Sequence, residues 1–301
     1  EWANVAYVVG GYNWKANFVD KAGMLVTGET AQLNLANRLL QTSEGLAPYH
    51  AGEELPYDCG ACHTPGYSTQ GNQDGRAGMV GTFALPGVQC EACHGAGSLH
   101  VNNPHSFTPQ VDRDRQECRS CHMTGDLVAA DGFIQHTGHE YGDLFPGKHA
   151  ALDCVDCHDP HAGVVAPRAA RQSYLRATCE GCHWQTAQVQ KPVHDRIRVE
   201  CVDCHMPELI QVAVGNPAAF RADMATHQVV INAEQIGQFT DDGFILPQIG
   251  LDYACRQCHN SAGGIGPALS DDTLLNVAEG YHSPAEPTPE ATSEGTATPA
   301  P

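Results

Sequence analysis

Hydrophobic and polar positions alternate most regularly near the start of the chain. Val5 to Val9 (VAYVV) is a short β-rich run, and Phe18 to Gly28 (FVDKAGMLVTG) is a second. Asp20-Lys21-Ala22-Gly23 offers a turn inside that second run, so the pattern predicts a small β-hairpin or sheet. From Thr30 to Gln41 the apolar residues Leu33, Leu35, Ala36, Leu39 and Leu40 recur at a partly helical spacing, ended by Gly45 and Pro48. Beyond residue 59 Gly, Pro and Asp keep breaking the pattern, which predicts short helices in irregular loops. Val229-Val230-Ile231 then forms a late apolar run, and Glu234 to Phe239 is expected to be helical. Ser283 to Pro301 is rich in Thr, Pro, Ala and Glu and lacks apolar anchors, as a disordered tail or linker does. The expected organisation is one domain over residues 1–282, opening with a β/helical start over 1–45, and a tail over 283–301.

The middle of the chain carries a different signal. Cys-x-x-Cys-His recurs seven times and uses all 14 cysteines. The copies are Cys59/Cys62/His63, Cys90/Cys93/His94, Cys118/Cys121/His122 and Cys154/Cys157/His158. Cys179/Cys182/His183, Cys201/Cys204/His205 and Cys255/Cys258/His259 complete the set. This is the attachment signature of c-type haem, in which two thiols bond the vinyl groups and the adjoining imidazole becomes the proximal iron ligand. A zinc site or redox dithiol would not need His at the next position every time. First cysteines are unevenly spaced, from 22 residues (Cys179 to Cys201) to 54 (Cys201 to Cys255), so this is no fixed-period repeat. A local echo exists, however: His149 leads into DCVDCH-x-Pro, and His194 into ECVDCH-x-Pro.

Seven haem c groups in 301 residues leave about 43 residues each, too few for an ordinary core, so the haems are expected to serve as the core. Covalent haem and the absence of a spare thiol fit an exported protein, extracellular or periplasmic. The start at Glu1 suggests a cleaved signal peptide, and no apolar run is long enough to span a membrane. The formal charge of −19 falls to about −26 once ferric haems and their propionates are counted. That makes nucleic acid a poor partner.

Seven proximal imidazoles leave ten other histidines, a surplus that seven second axial positions would use. His50, His100, His136, His149, His161, His194, His227 and His282 are the distal candidates. His139 competes with His136, and His105, in NNPHSF, is the expected spare. Short tethers after or before a motif, as at His100, His149, His161 and His194, should send each imidazole to a neighbouring haem. Bis-histidine ligation would keep potentials low, since it is Met ligation that raises them.

CGACHTPGY followed by GVQCEACHGAGSLH resembles the opening of multihaem cytochromes of the cytochrome c-554 and pentahaem nitrite reductase superfamily. The likeness extends over roughly Tyr7 to His282. It implies a multihaem cytochrome c fold: mostly irregular loops with short α-helices wrapped around seven stacked haems, and a small β element at the N-terminus. By the same likeness His100, His149, His161, His194, His227 and His282 match positions where distal ligands occur. The nitrite reductases carry a CxxCK haem, and its absence here argues against nitrite reduction.

Two function classes follow. The first is electron transfer along the haem chain, between redox protein donors and acceptors or terminal extracellular acceptors, with no catalytic residue. Self-assembly into a homopolymeric conductive filament is one form of it. The second is a multihaem oxidoreductase acting on a small nitrogen or sulfur compound, which needs one five-coordinate haem.

Overall fold

The computed structural model describes residues 2–11, 15–34, 45–110, 112–123, 127–135, 140–144, 147–162, 175–189 and 192–283. Near the start lie strands β1 (Val5–Gly10), β2 (Lys15–Asp20), β3 (Met24–Leu25), β4 (Gly28–Asn34), β5 (Leu46–Tyr49) and β6 (Leu55–Pro56). They form one antiparallel sheet in the order β5-β4-β2-β3-β6, with β1 paired to β2. The β2–β3 turn is set by Asp20, whose carboxylate accepts from the amides of Ala22 (2.8 Å) and Met24 (2.9 Å). Gly23 there takes φ +91°, and a Cβ would lie 2.6 Å from the Met79 amide nitrogen. Glycine therefore lets the segment around Met79 lie directly on the turn and close a small core with Val19, Leu25 and Tyr57.

The helical spacing expected from Thr30 is overridden as far as Asn34. Strand β4 finds ladder partners in β2 and β5, and its residues Ala31, Gln32 and Asn34 are buried between them. Residues 35–44 lie outside the described residues.

A second sheet joins distant parts of the chain: β7 (Val128–Ala130), β8 (Phe133–Gln135), β9 (Ile210–Asn216) and β10 (Arg221–Met224), in the order β10-β9-β8-β7. The β8–β9 pairing is parallel. Pairing of β10 with β9 slips between Ala222 and Met224. Asp223 explains the slip: its carboxylate takes the amides of Val212 (2.7 Å) and Ala213 (3.0 Å) that the ladder would have used. The core beneath this sheet contains Phe133, Ile134, Leu209, Ile249 and Tyr253. Glu234 to Phe239, expected to be helical, runs as turns instead. Asn232 Oδ1 accepts from the Glu234 amide (3.0 Å), and the Gln238 side chain bridges to Gly250 N (2.9 Å) and Leu246 O (2.9 Å).

Between the two cores the polypeptide has little interior of its own. Among the described residues, none from 82 to 132 and none from 135 to 206 is buried. Five of the seven CxxCH segments lie in those two stretches.

Candidate haem-binding sites

Each motif sits on a turn of helix: Gly60–His63, Cys90–His94, Arg115–His122, Cys154–Cys157, Cys179–Cys182, Cys201–His205 and Leu251–Arg256. The His amide bonds back to the first Cys carbonyl, as from His63 to Cys59 (3.0 Å), His158 to Cys154 (2.9 Å) and His259 to Cys255 (3.0 Å). One such turn puts positions i, i+3 and i+4 on one face, so both thiols and the imidazole point the same way. The CVDCH echo has a local cause. Asp156 reaches back to the Asp153 amide (2.9 Å) and Asp203 to the Glu200 amide (2.8 Å), so each CVDCH turn is closed by a capping box.

Each motif lies beside another: the first and second both meet the third, and the third to seventh follow in order. Cys121 Sγ lies 3.9 Å from the Cys62 carbonyl, and the Cys93 thiol interacts with those of Cys118 and Cys121. Thiol hydrogen bonds link Cys118 with Cys154 and Cys179 with Cys201, and Cys157 and Cys204 lie within electrostatic reach of Cys179 and Cys255. Arg115 reinforces the join between the third and fourth motifs, donating to the carbonyls of Ala150 and Leu152. Burial pushes the thiol pKa values of Cys118 and Cys255 to about 11, and of Cys201 and Cys204 to about 12.

The imidazoles come in twos. His94 faces His161 with ring centres 6.1 Å apart, His149 faces His183 at 5.9 Å, and His158 faces His227 at 6.0 Å. His194 faces His259 at 6.0 Å and His205 faces His282 at 6.1 Å. Every pair joins one motif histidine to one remote histidine. A metal–nitrogen bond of about 2.0 Å, with the ring centre about 1.1 Å beyond, separates two imidazoles trans on one ion by about 6.2 Å. Among the described residues no group of three or more His, Cys, Asp or Glu is arranged to hold a metal ion. Two imidazoles at that separation suit an ion whose remaining ligands would come from a macrocycle, so the donor set fits haem.

Carbonyls hold several of these rings in the required tautomer. Nδ1 of His94 lies 2.5 Å from Gln110 O, that of His205 2.8 Å from Val229 O, and that of His259 2.9 Å from Pro267 O. A carbonyl only accepts, so Nδ1 carries the proton and Nε2 keeps its lone pair for a metal. Desolvation lowers the pKa values of His63, His158 and His194, which favours the neutral, ligating form. At His63 the charges of Lys15 and His122 act in the same direction. The loop after the last motif also matters: a Cβ on Gly266 would lie 2.5 Å from His259 Cε1, so only glycine lets that loop lie against the ring. In the sequence, the GGIGP run is the only signal for Gly266 and Pro267.

Of the distal candidates, His149, His161, His194, His227 and His282 are thus brought opposite a motif histidine. His100 has its Nδ1 on Phe107 O (2.7 Å), and His50 lies 3.3 Å from Glu53, but neither faces a second imidazole among the described residues. His105 is exposed. His136 and His139 lie outside the described residues.

In its fold and its motif turns the chain is similar to multihaem cytochromes. Residues 28–95 match the family described as cytochrome c554 and c-prime. The multiheme cytochrome MtrA of Shewanella baltica is 26% identical over 163 residues, covering 50% of this chain and 45% of that protein. The dissimilatory sulfite reductase MccA of Wolinella succinogenes is 25% identical over 158 residues, covering 40% of this chain and 22% of the other. The chain therefore spans less than half the length of the curated relatives it matches. The solved octaheme sulfite reductase MccA superposes with a TM-score of 0.55 at 16% identity, over 84% of this chain and 56% of the other, a likeness of fold alone. Among the described residues no helix is long and apolar enough to cross a membrane.

Proposed function

We propose that the chain binds one haem c at each of its seven motifs and carries electrons among them outside the cytoplasm. Haem bound there supplies reversible one-electron oxidation and reduction of iron. The residues do the rest. Each motif turn presents two thiols and one imidazole on one face; at five motifs a remote histidine stands opposite, and at His94, His205 and His259 a carbonyl at Nδ1 would fix the tautomer and raise ligand basicity. The observation that carries this reading is the five imidazole pairs, all at nearly one separation, on motifs that each lie beside another motif. An iron held between two imidazoles has no open position, which favours carriage over chemistry.

The net charge of −19 favours docking partners with a cationic face, whether redox proteins or terminal extracellular acceptors. Mutual repulsion among added electrons spreads the potentials, so each midpoint belongs partly to the ensemble. Polymerisation into a conductive filament is an extension of the same reading, in which a copy lends His50 or His100 to its neighbour; electron microscopy of native material decides it. The carriage itself is tested by a haem assay with a coulometric titration. Seven haems, seven electrons and a predominantly low-spin spectrum are expected; fewer haems or a predominantly high-spin spectrum overturns the reading.

A second reading attaches to His63. Among the described residues no imidazole faces it, and it borders a cavity of about 330 Å3 that is also lined by Tyr7, Tyr57, Thr64 and Phe83. The Tyr7 hydroxyl donates to Asp74, which also accepts from Gln73 Nε2 (3.2 Å) and lies 3.8 Å from Arg76. A phenol linked to an exposed carboxylate can relay a proton, which reduction of a small nitrogen or sulfur compound needs. One CO bound per chain of reduced holoprotein supports this reading; none removes it and leaves carriage alone.

A further inference from the structure

The residues 270–283 do more than end the described chain. Ser270 caps the helix Asp271–Ala278 by accepting from the Thr273 amide (3.3 Å). Leu274 is buried, and Arg256 in the last motif helix pairs with Asp271. The helix is thereby fixed against the seventh motif. A turn at Gly280 (φ +65°) then delivers two consecutive side chains to two different imidazole pairs. His282 faces His205 of the sixth motif. Tyr281, its ring edge-on to that of His282 at 4.9 Å, also lies 5.9 Å from the His194 ring at 24°, with its hydroxyl hydrogen-bonded to His194 Nδ1. His194 in turn faces His259 of the seventh motif.

We propose that Tyr281 is a positioning residue for the seventh iron: its hydroxyl oxygen accepts the Nδ1 proton of His194 and so fixes the tautomer, tilt and basicity of that axial ligand. The inference rests on the bis-imidazole reading above. Where Nε2 faces the iron, the only ring proton is on Nδ1, so Nδ1 donates and the phenol accepts. His94, His205 and His259 make the same bond to backbone carbonyls, which no substitution removes. At His194 the acceptor is a side chain, and the tuning of this iron is open to change by sequence. Because Tyr281 and His282 are adjacent, one turn fixes ligands of two irons whose motifs adjoin.

The test uses the holoprotein with Tyr281→Phe, which keeps the ring and removes the acceptor. Tyr281→Trp, also aromatic and without an acceptor oxygen, is the second variant. Losing the hydrogen bond lowers ligand basicity, so one of seven midpoint potentials should rise and one low-spin electron paramagnetic resonance signal should shift, with seven haems retained. Loss of the seventh-motif haem alone, read by peptide mass, makes the same assignment through occupancy. A variant with seven haems whose signals and potentials all superpose on the parent overturns the proposal, as does haem loss confined to any other motif. If the unmodified protein itself shows no low-spin bis-imidazole signals, the bis-imidazole reading has failed, and that outcome is visible before any variant is made.

Discussion

His149 and His183 face each other with planes 84° apart, whereas His94 and His161, at almost the same separation, are 5° from parallel. The difference has an electronic consequence. Parallel imidazoles overlap the same iron dπ orbital and split the dπ pair, while perpendicular ones act on both orbitals equally and leave them nearly degenerate. Ferric holoprotein should therefore show at least two low-spin classes. One is rhombic, from His94/His161 and from His205/His282 at 23°; the other is highly anisotropic, from His149/His183. Substituting His149 should remove a signal of the second class only, as read by low-temperature electron paramagnetic resonance. Loss of a rhombic signal would count against the pairing.

Removing one remote histidine should open one iron and no other. His227→Ala is expected to turn one low-spin haem high-spin and to create one additional CO site per chain in the reduced protein. Optical titration with CO checks the count. A variant with unchanged CO stoichiometry would show that His227 is not opposite His158 in the loaded protein.

How much of this was legible beforehand depends on the range of the forces involved. The motif turns are local, since a Cys-to-His hydrogen bond spans four residues, and counting alone finds them. Tethers of a few residues also pointed His149, His161 and His194 toward neighbouring haems, though not to which ones. Partners such as His158 with His227 are set by tertiary packing, and no periodicity encodes them. The same limit hid β8 and β9: a three-residue strand that pairs in parallel with one from a remote stretch leaves almost no pattern in its own sequence. Residues 30–34 misled for the related reason that leucine spacing suited a helix, while β2 and β5 offered ladder partners on both sides.

Asn34 in β4 donates to Asp223 in β10 at 2.9 Å, tying the two sheets across 189 positions of sequence. Asp223 also accepts from Val212 and Ala213. Hydrogen bonds to a buried carboxylate contribute about 1.5–3 kcal/mol each. Asn34→Ala is expected to destabilise the holoprotein by about 2 kcal/mol in denaturant unfolding. A double-mutant cycle with Asp223→Asn should show non-additivity, whereas simple additivity would mean the contact contributes nothing.

Asp252, at the start of the helix that carries the seventh motif, is buried, and burial raises its pKa from 3.8 to about 6 despite amide bonds from Tyr253 and Gln238. The folded protein therefore holds this proton more tightly than the unfolded chain. The resulting stabilisation is full below about pH 4 and is lost as pH rises through about 6. The shift corresponds to at most about 3 kcal/mol. Relative to the parent, Asp252→Asn should gain stability across that window, as measured by unfolding at a series of pH values. A pH-independent difference between the two would rule out this titration.

The most direct measurement is anomalous diffraction at the iron edge from crystals of the holoprotein. The account predicts seven iron peaks, with one midway between the rings of each pair: His94/His161, His149/His183, His158/His227, His194/His259 and His205/His282. An iron-free gap between any of these pairs, or a motif whose iron is bound on its far side by a different residue, would contradict it.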